Sequence, residues 1–301
     1  MRPNNIGLLI AVSPGEAELA ADSLQRAIAK APGPCDVFVV NNGGIADAAQ
    51  WCSIVGAEPH RFRVFIPDGL LPRPYFEIAR TIFGALAEIA ARPPELLFKI
   101  DPDTVVLDSG FFADVGQLHR EDAADCYACK VKSSPRDHRR RCARLLLDLA
   151  PLGLRRDAGS TRYGRNLNLR VQPVWYWRIL LSALCRGGFR HAMQPSGGFY
   201  VVCGGILSVL KSRRLLSTRG ANGLEWNDDS LLPLAVRAAG GKVSDIRKSR
   251  FAPGWRWLHG SCYFNNEQAF EPGLRALHPV KSDADGRLLR DRLGRATGTH
   301  A

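Results

Sequence analysis

The sequence predicts an α/β protein with a mixed, mostly parallel sheet flanked by helices, and three observations lead to this fold class. Short apolar runs of strand length alternate with helical segments through the first part of the chain, an order typical of sheets of the nucleotide-binding type. The run Leu96–Ile100 is apolar on both faces, as expected of a central strand buried on both sides. The segment Tyr75–Arg92 before it has an apolar stripe with helical spacing, and Pro93-Pro94 end it.

The elements before this central strand follow one another at short intervals. We expect strands over 6–12, 35–40 and 63–66, and helices over 16–31 and 46–55. Pro32-Gly33-Pro34 ends the first helix, and Asn41-Asn42-Gly43-Gly44 closes the second strand with a strong turn signal. This alternation places the carboxyl ends of the predicted strands at one edge of the sheet, where ligands of open α/β sheets bind.

Two carboxylates, Asp101 and Asp103, follow the central strand and are separated by Pro102. Two acidic side chains one residue apart, on a backbone restricted by proline, can hold a hard divalent cation directly or through a water. The alternative is a surface turn, because Asp and Pro are common turn residues and an Asp-x-Asp pattern is short.

The second half of the chain is predicted to add four helices and one strand. The first three helices span 141–149, 174–186 and 208–216, the fourth is opened by Leu224–Asp229 and runs to about 239, and a β-rich run follows Gly197-Gly198. A glycine pair there marks a place where the backbone passes close to another group. The aromatic residues Trp175, Tyr176 and Trp177 either pack against the sheet or include one that stacks on a sugar.

A cluster of polar residues begins the helix that is predicted to end at Gly240-Gly241. Asn227 or Asp228 can cap this helix, and the helix dipole favours Asp229 in its first turn. Capping explains one of the two carboxylates and leaves the second without a structural reason.

Length and composition narrow the classes of protein. The chain has 301 residues, of which 46% are hydrophobic and 23% charged, as is ordinary for a globular protein. We expect one domain over 1–281 and a polar, loosely ordered tail over 282–301. The longest apolar run, Gly197–Leu210, is 14 residues long, too short for a transmembrane helix, and the first apolar run lacks a signal-peptide cleavage site. A cytoplasmic location is expected.

The eight cysteines are scattered, and reduced thiols are the default without a secretory signal. Cys126 and Cys129 form a lone Cys-x-x-Cys with no second pair at zinc-finger spacing. They are either ligands of a structural zinc or, as the simpler interpretation, buried or idle thiols.

Positive charge is concentrated in one part of the chain. The net charge is +12, and Lys130–Arg170 contains twelve Lys or Arg against three Asp. Such a segment can attract nucleic acid, an anionic membrane face or an anionic substrate. The alternative is a solvated insertion without a partner.

Four motifs and a late histidine occur in a recognisable order. They are Arg80-Thr81 on the long helix, Leu97–Val106 around the two acids, Ser196–Val202, the acidic helix start Trp226–Asp229, and His278. Together they resemble the inverting glycosyltransferases of the GT-A fold, in particular the fringe-like and β-1,3-galactosyltransferase group. In that group the corresponding segments are a basic-residue–Thr helix, a metal-binding strand, a Ser-Gly-Gly-Gly-Tyr-Val-Leu segment beside the donor sugar, and an acidic helix start.

The resemblance covers about residues 6–281 and implies a nucleotide-diphospho-sugar transferase fold with a UDP-sugar as donor and Mn²⁺ or Mg²⁺ as cofactor. It implies Asp101, Asp103 and His278 as metal ligands, with Asp103 in direct contact and Asp101 acting through water or the ribose. It also implies that Asp229, or else Asp228, is the general base.

The resemblance and the topology together suggest further contacts with the donor. The residues expected to make them are Val12, Ser13, Asn41, Arg80, Asp101, Gly197, Gly198 and Lys281. The loop Val12-Ser13-Pro14 and the turn at Asn41-Asn42 are included because both lie at carboxyl ends of strands, and Lys281 because it can touch the diphosphate as a point charge.

The chain departs from the family pattern at several positions. Pro102 replaces a third acid, Phe199 stands where a third glycine is usual and narrows the sugar pocket, and the acidic pair is Asp-Asp. The basic segment 130–193 has no counterpart, and the membrane anchor of eukaryotic members is missing, so a bacterial-type enzyme is expected.

The expected activity is metal-dependent, inverting transfer of a hexose or N-acetylhexosamine from a UDP-sugar to a hydroxyl of a glycan or glycolipid. The basic segment favours an anionic, lipid-linked acceptor and peripheral contact with the inner face of a membrane. The alternatives are a nucleotidyltransferase, which shares the sheet type and paired acids, and a non-catalytic protein that binds anions or nucleic acid. The few aromatic residues within the basic segment make nucleic acid unlikely as a partner.

Overall fold

Strand β4 (Leu96–Ile100) lies at the centre of a seven-stranded sheet in the computed structural model. The structure describes residues 5–13, 15–41, 48–56, 61–65, 74–130, 135–150, 152–156, 167–171, 174–186, 195–216, 228–251, 270, 272–281 and 283–297. Six further strands complete this sheet: β1 (Ile6–Val12), β2 (Cys35–Asn41), β3 (Phe62–Phe65), β6 (Cys126–Lys130), β9 (Pro195–Cys203) and β10 (Val243–Asp245). Two small sheets of two strands each are formed by β5 (Val105–Val106) with β11 (Ala276–Leu277) and by β7 (Leu152–Arg156) with β8 (Leu167–Val171).

The described helices flank this sheet on both faces. They are α1 (Ala17–Lys30), α2 (Ala48–Val55), α3 (Pro74–Ile89), α4 (Gly110–Asp122), α5 (Pro135–Leu147), α6 (Val174–Cys185), α7 (Gly204–Ser212), α8 (Asp228–Ala238) and α9 (Ala284–Thr297). None of the helices in the described ranges has the length and apolarity needed to cross a bilayer.

The strand order is β10-β6-β9-β4-β1-β2-β3, and β9 runs antiparallel to both of its neighbours while the other neighbouring strands are parallel. The predicted fold class, a mixed and mostly parallel sheet flanked by helices, is confirmed. Because β9 runs in the opposite direction, its amino-terminal end lies at the same edge of the sheet as the carboxyl ends of β1, β2 and β4.

The sheet is buried on both faces, as the apolar run of β4 predicts. Leu97 belongs to one hydrophobic cluster, and Phe98, the next residue along the strand, belongs to the other, because successive side chains of a strand point to opposite faces. Phe98 packs against Phe111 and Phe112 of α4 with ring centroids 5.5 and 4.9 Å apart. Alternating side chains of β4 therefore point into two separate cores.

The predicted apolar stripe of α3 packs on this sheet. Ile82, Leu86 and Ile89 are fully buried, and the helix ends three residues before the predicted Arg92. The fourth member of the stripe, Ile78, has a side chain outside the described part. Of the aromatic residues on α6, Trp175 and Tyr176 are buried, so the packing interpretation is correct for these two.

Three parts of the chain differ from the sequence prediction. The segment over 282–301 is not a loose tail: most of it forms helix α9, whose Leu289 and Leu293 are buried in a cluster with Val105 and Leu277. The helix predicted over 208–216 spans Gly204–Ser212 instead. Within 130–193, α5 begins six residues before the predicted start, and β7 and β8 pair as an antiparallel hairpin that carried no clear strand pattern.

The Cys-x-x-Cys pair lies on β6. Cys126 and Cys129 are fully buried, and they belong to different hydrophobic clusters on opposite faces of the sheet. Residues three apart on a strand point in opposite directions. These thiols therefore cannot bind one zinc ion together, and burial raises the pKa of the Cys126 thiol.

Candidate active site

Asp101 is the first residue after β4, and its carboxylate is held by strand β9. Ile100 pairs with Phe199, so the next residues along, Asp101 and Gly198, face each other. The Asp101 N–H donates to the Gly198 carbonyl at 2.8 Å, and the Gly198 N–H donates to Asp101 Oδ2 at 2.7 Å. Gly198 has φ of 101°, which favours glycine. The predicted glycine segment, with Gly197 one residue earlier in β9, thus lies against the acidic motif.

The motif Asp101-Pro102-Asp103 forms a turn, closed by a 3.0 Å hydrogen bond from the Thr104 N–H to the Asp101 carbonyl. The Thr104 hydroxyl also donates to the Gly198 carbonyl at 2.9 Å, which ties the turn to β9. Asp103 is only 7% exposed. The turn interpretation is therefore right for the backbone, but the turn is buried and directs its second carboxylate inward.

His278 reaches this turn through a second, two-stranded sheet. Strand β11 pairs antiparallel with β5, and Leu277 lies opposite Val105. The Val280 N–H then donates to the Asp103 carbonyl at 2.8 Å. These backbone contacts place the imidazole Nε2 of His278 2.9 Å from Asp103 Oδ1.

Asp101, Asp103 and His278 together form a cluster suited to a metal ion. Their nearest donor atoms lie within 4.8 Å of one another, and this is the one such group of three found in the part of the chain that the structure describes. His278 Nε2 is also 3.7 Å from Asp101 Oδ2. A set of one imidazole nitrogen and two carboxylates, completed by water or phosphate oxygens, fits Mn²⁺ or Mg²⁺. The three predicted ligands are therefore brought together.

Lys281 extends from the same segment as His278 and pairs with Asp103 Oδ2, while 55% of its own side chain stays exposed. Burial by itself raises the pKa of Asp103, but hydrogen bonds from His278 and Lys281 outweigh it and hold that pKa well below its usual range. Asp103 is therefore a carboxylate at all ordinary pH values, as a metal ligand must be.

A second acidic centre lies at the start of α8. The helix begins at Asp228, within the segment Leu224–Asp229 predicted to open it, and ends at Ala238, shortly before Gly240, whose φ of 86° is typical of a helix C-terminus. Asp228 is 2% exposed and accepts a 3.0 Å hydrogen bond from the Tyr200 hydroxyl, whereas the Asp229 side chain is 19% exposed. The predicted cap Asn227 and the adjacent Trp226 lie outside the described residues.

Lys99 connects the two acidic centres, and the sequence analysis assigned it no role. Its side chain is 2% exposed, and its ammonium bonds to Asp101 Oδ1 and lies 3.7 Å from Asp228 Oδ2 and 3.9 Å from Asp229 Oδ1. It also lies 5.3 Å from the centre of the Tyr200 ring. The available signal was a single cation in a strand that is otherwise apolar, two residues from an acid and hence on the same face.

The electrostatics of this group follow from three carboxylates around one ammonium. Burial lowers the pKa of Lys99, but Asp101, Asp228 and Asp229 more than offset it and raise that pKa above its ordinary value. Burial and the neighbouring Asp228 raise the pKa of Asp229 to about 8, although Lys99 pulls it down. Asp229 is therefore a carboxylate with unusually high proton affinity near neutral pH.

Two of the residues predicted to bind the nucleotide lie at the ends of neighbouring strands. Val12 and Asn41 are paired at the ends of β1 and β2, and both are buried. The Ser13 N–H donates to Glu16 Oε2 at 3.2 Å. Arg80 is half-buried on α3. The roles of these residues towards a donor stay predictions, and Pro14 and Asn42 lie outside the described residues.

Arg290 of α9 holds the two halves of the metal cluster together, and no local pattern indicated it. Its guanidinium is buried and donates to the carbonyls of Pro102 at 3.4 Å and Val280 at 3.1 Å. It also pairs with Asp22 of α1, and the Ser23 hydroxyl donates to the same Pro102 carbonyl at 2.5 Å. Helix α9 therefore braces both the acidic turn and the segment that carries His278.

Comparison with known proteins gives only distant likenesses. No protein-family model matches the chain, and no curated protein matches it. Solved structures that resemble it include the galactosyltransferase LgtC in complex with donor and acceptor sugar analogues, at 12% identity and a TM-score of 0.46 over 97% of this chain and 95% of that one. The bifunctional glycosyltransferase WbbM gives 13% identity and a TM-score of 0.40 over 80% and 38%. TarS of S. aureus gives 14% and 0.31 over 43% and 22%. Likenesses this distant leave the function to be argued from the site.

Proposed function

We propose that this chain is a metal-dependent glycosyltransferase of the fringe-like type, which moves a hexose or N-acetylhexosamine from a UDP-sugar to a glycan or glycolipid hydroxyl with inversion. The observation that carries the proposal is the pairing of two acidic centres through Lys99. One centre, Asp101 with Asp103 and His278, has the composition of a metal site. The other, Asp228 and Asp229, holds carboxylates within 4 Å of the same ammonium.

The first centre fits the leaving group of such a reaction. Asp101, Asp103 and His278 would hold Mn²⁺ or Mg²⁺, which when bound supplies Lewis-acid neutralisation of the departing diphosphate. Lys281 is half exposed beside Asp103 and adds a positive point charge that would also face the departing diphosphate. Both acids already have their oxygens engaged, Asp101 by the Gly198 N–H and Lys99 and Asp103 by His278 and Lys281, so the assignment of the direct contact to Asp103 rests on the family resemblance.

The second centre fits proton removal from the acceptor. Asp228 is buried and held by Tyr200 and Lys99, so Asp229, with its exposed fraction of 19%, is the carboxylate that an acceptor hydroxyl can reach. Its raised pKa, about 8, lies close to neutral pH, so the ionised form of Asp229 takes a proton more readily than an ordinary carboxylate does. A hydroxyl activated there attacks the anomeric carbon directly, and direct displacement inverts it.

The donor and the acceptor are assigned by chemistry. We place the nucleotide at the carboxyl edge of β1 and β2, where Val12, Ser13 and Asn41 lie, because ligands of such sheets bind there. Gly197 is placed beside the sugar, and Arg80 near the donor, because Ser196–Val202 and Arg80-Thr81 resemble the donor-side motifs of the fringe-like group. The net positive charge favours an anionic, lipid-linked acceptor and a cytoplasmic enzyme that works at a membrane surface.

The experiment is to incubate the full chain with UDP-sugars and Mn²⁺ and to measure released UDP, with and without a chelator. We expect metal-dependent UDP release, and we expect Asp229→Asn to abolish it while UDP binding persists. Asp291→Asn, at an exposed position of α9, is the matched control and should stay active. Release of pyrophosphate instead of UDP would indicate a nucleotidyltransferase, and loss of activity in Asp228→Asn alone would make Asp228 the base.

A further inference from the structure

Exposed apolar side chains are concentrated on two neighbouring helices far along the chain from the acidic centres. Eight large hydrophobic residues among the described ones are exposed, and five of them belong to α5 and α6. They are Leu146 (51% exposed), Leu147 (69%), Val174 (73%), Trp177 (38%) and Leu181 (39%). We call these five residues, with the arginines described below, the α5–α6 surface. Single exposed hydrophobic residues need no explanation, but a cluster of this kind marks an interaction site.

The geometry of the two helices makes these side chains one surface. Val174, Trp177 and Leu181 are three and seven residues apart and so share one face of α6. The Trp177 indole N–H donates to the Leu149 carbonyl at 2.6 Å, just beyond the end of α5. The Tyr176 hydroxyl donates to Asp148 at 2.8 Å and fixes the same junction. The last turn of α5, with its two leucines, therefore lies next to the exposed face of α6.

The same surface is strongly basic. Helix α5 contains five arginines and one aspartate. Arg136, Arg139 and Arg140 are exposed, and their spacings of three, four, seven and eleven residues relative to one another and to Leu147 place them all on the leucine-bearing face. Arg178 is exposed beside Trp177 on α6. Cations therefore adjoin the apolar cluster on both helices.

We propose that the α5–α6 surface docks on an anionic lipid bilayer. In this arrangement the leucines, Val174 and Trp177 enter the boundary between headgroups and acyl chains, while the guanidinium groups pair with lipid phosphates. Nucleic acid would use the arginines and leave five exposed apolar side chains unexplained. A typical protein interface is depleted of charge at its apolar core and does not require cations of one sign along its edge. An anionic bilayer uses both features together.

The inference rests on the membrane location in the proposed function and deepens it by naming the surface, but lipid binding requires neither donor nor metal and is tested without sugar transfer. Docking of this surface would bring the enzyme to acceptors embedded in a membrane. If the chain binds lipid but transfers no sugar, only the proposed function fails. If it transfers sugar to a water-soluble acceptor but does not bind lipid, this inference and the proposed membrane location fail, while the proposed sugar transfer stands.

The test is flotation of the full chain with vesicles of phosphatidylcholine alone or mixed with phosphatidylglycerol. We expect binding to the anionic vesicles only, weakening as salt rises. The double variant Leu147→Glu, Leu181→Glu should bind about tenfold more weakly or worse, because each glutamate removes buried apolar area and adds a repelled charge. The variant Arg139→Glu, Arg140→Glu should lose binding at low salt as well.

The matched control is Ile54→Glu, Leu288→Glu, which adds the same charge at leucine-sized residues that are 37% and 50% exposed on other helices. Circular dichroism and thermal unfolding establish that each variant is folded. We expect the control to bind vesicles as the original chain does. Equal binding to neutral and anionic vesicles, equal loss in the control, or full binding by the Leu147, Leu181 variant would each overturn the proposal. The proposal would also be overturned if the Leu147, Leu181 variant kept its lipid binding and lost binding to single-stranded RNA.

Discussion

Replacing Lys99 by Met removes the one buried cation that stands among Asp101, Asp228 and Asp229. Methionine keeps the volume and the flexible chain of lysine, so the packing against Tyr200 changes little. The ammonium lies 3.7 and 3.9 Å from the two carboxylates of α8, and at an effective dielectric constant of about 20 each such contact amounts to about 4 kcal/mol of Coulomb energy.

Much of that attraction is offset by the cost of burying the ammonium itself. Measured losses on removing one partner of a buried ion pair are about 3–5 kcal/mol, because the remaining charge stays buried without compensation. We therefore expect Lys99→Met to lower the free energy of unfolding by about 3–5 kcal/mol. Lys281→Met is the matched control: this ammonium also contacts the acidic cluster, but it is 55% exposed, so its loss should cost about 1 kcal/mol or less.

The assay is urea unfolding followed by tryptophan fluorescence, with a chelator present so that bound metal does not contribute. Lys99 lowers the pKa of Asp229, so without it the Asp229 carboxyl takes up a proton still more readily in the folded protein than in the unfolded chain, and the stability of the variant should rise as the pH falls from 8 towards 5. Equal losses in Lys99→Met and Lys281→Met, or a loss for Lys99→Met that does not shrink at lower pH, would refute the electrostatic account of this group.

Three further perturbations test other parts of the site. Asp229 must lose its proton to act as base, so the turnover rate should rise with pH and level off above about 8, and a turnover rate that instead levels off near pH 4 would contradict this assignment. Because the pKa of Asp229 is raised from 3.8 to about 8 on folding, its ionisation lowers the stability of the folded protein between those pH values. Asp229→Asn should therefore unfold at a higher urea concentration than the original chain at pH 8. His278→Ala should weaken Mn²⁺ binding in titration calorimetry by about 100-fold, whereas His138→Ala on α5 should leave it unchanged. Arg290→Met should lower the free energy of unfolding by about 3–5 kcal/mol and weaken Mn²⁺ binding. The control Arg292→Met, on the same helix, should lower it by less than about 1 kcal/mol. Equal losses in the two variants would show that Arg290 does not brace the site.

Much of the fold was readable from the sequence because local patterns encode it. An apolar run of strand length places β4 at the centre of the sheet, and helical spacing identifies α3, since both periods follow from backbone geometry alone. Polar residues at the start of α8 and a glycine pair after it bound that helix correctly. By contrast, α9 lacks a long apolar stripe, and only its contact with β5 and β11 explains why it is ordered.

The candidate site divides in the same way. The carboxylates at Asp101 and Asp103 were found because a strand ends beside them, and the late histidine was found by resemblance to a known motif order. Arg290 was missed because its partners are backbone carbonyls, which no side-chain pattern records. Cys126 and Cys129 kept two interpretations until strand geometry separated them onto opposite faces of the sheet.

What the sequence determined by itself is therefore the order of the elements and the presence of acids at the end of one strand. What only the tertiary structure decided is the meeting of those acids with the rest of the site. Pairing of β11 with β5 brings His278 to Asp103, and the register of β4 with β9 brings Asp101 to Gly198. Lys99 then reaches the carboxylates of α8, far from it along the chain. Periodicity is a property of neighbouring residues, whereas register and packing depend on which distant surfaces bury each other, and that is settled only when the whole chain folds.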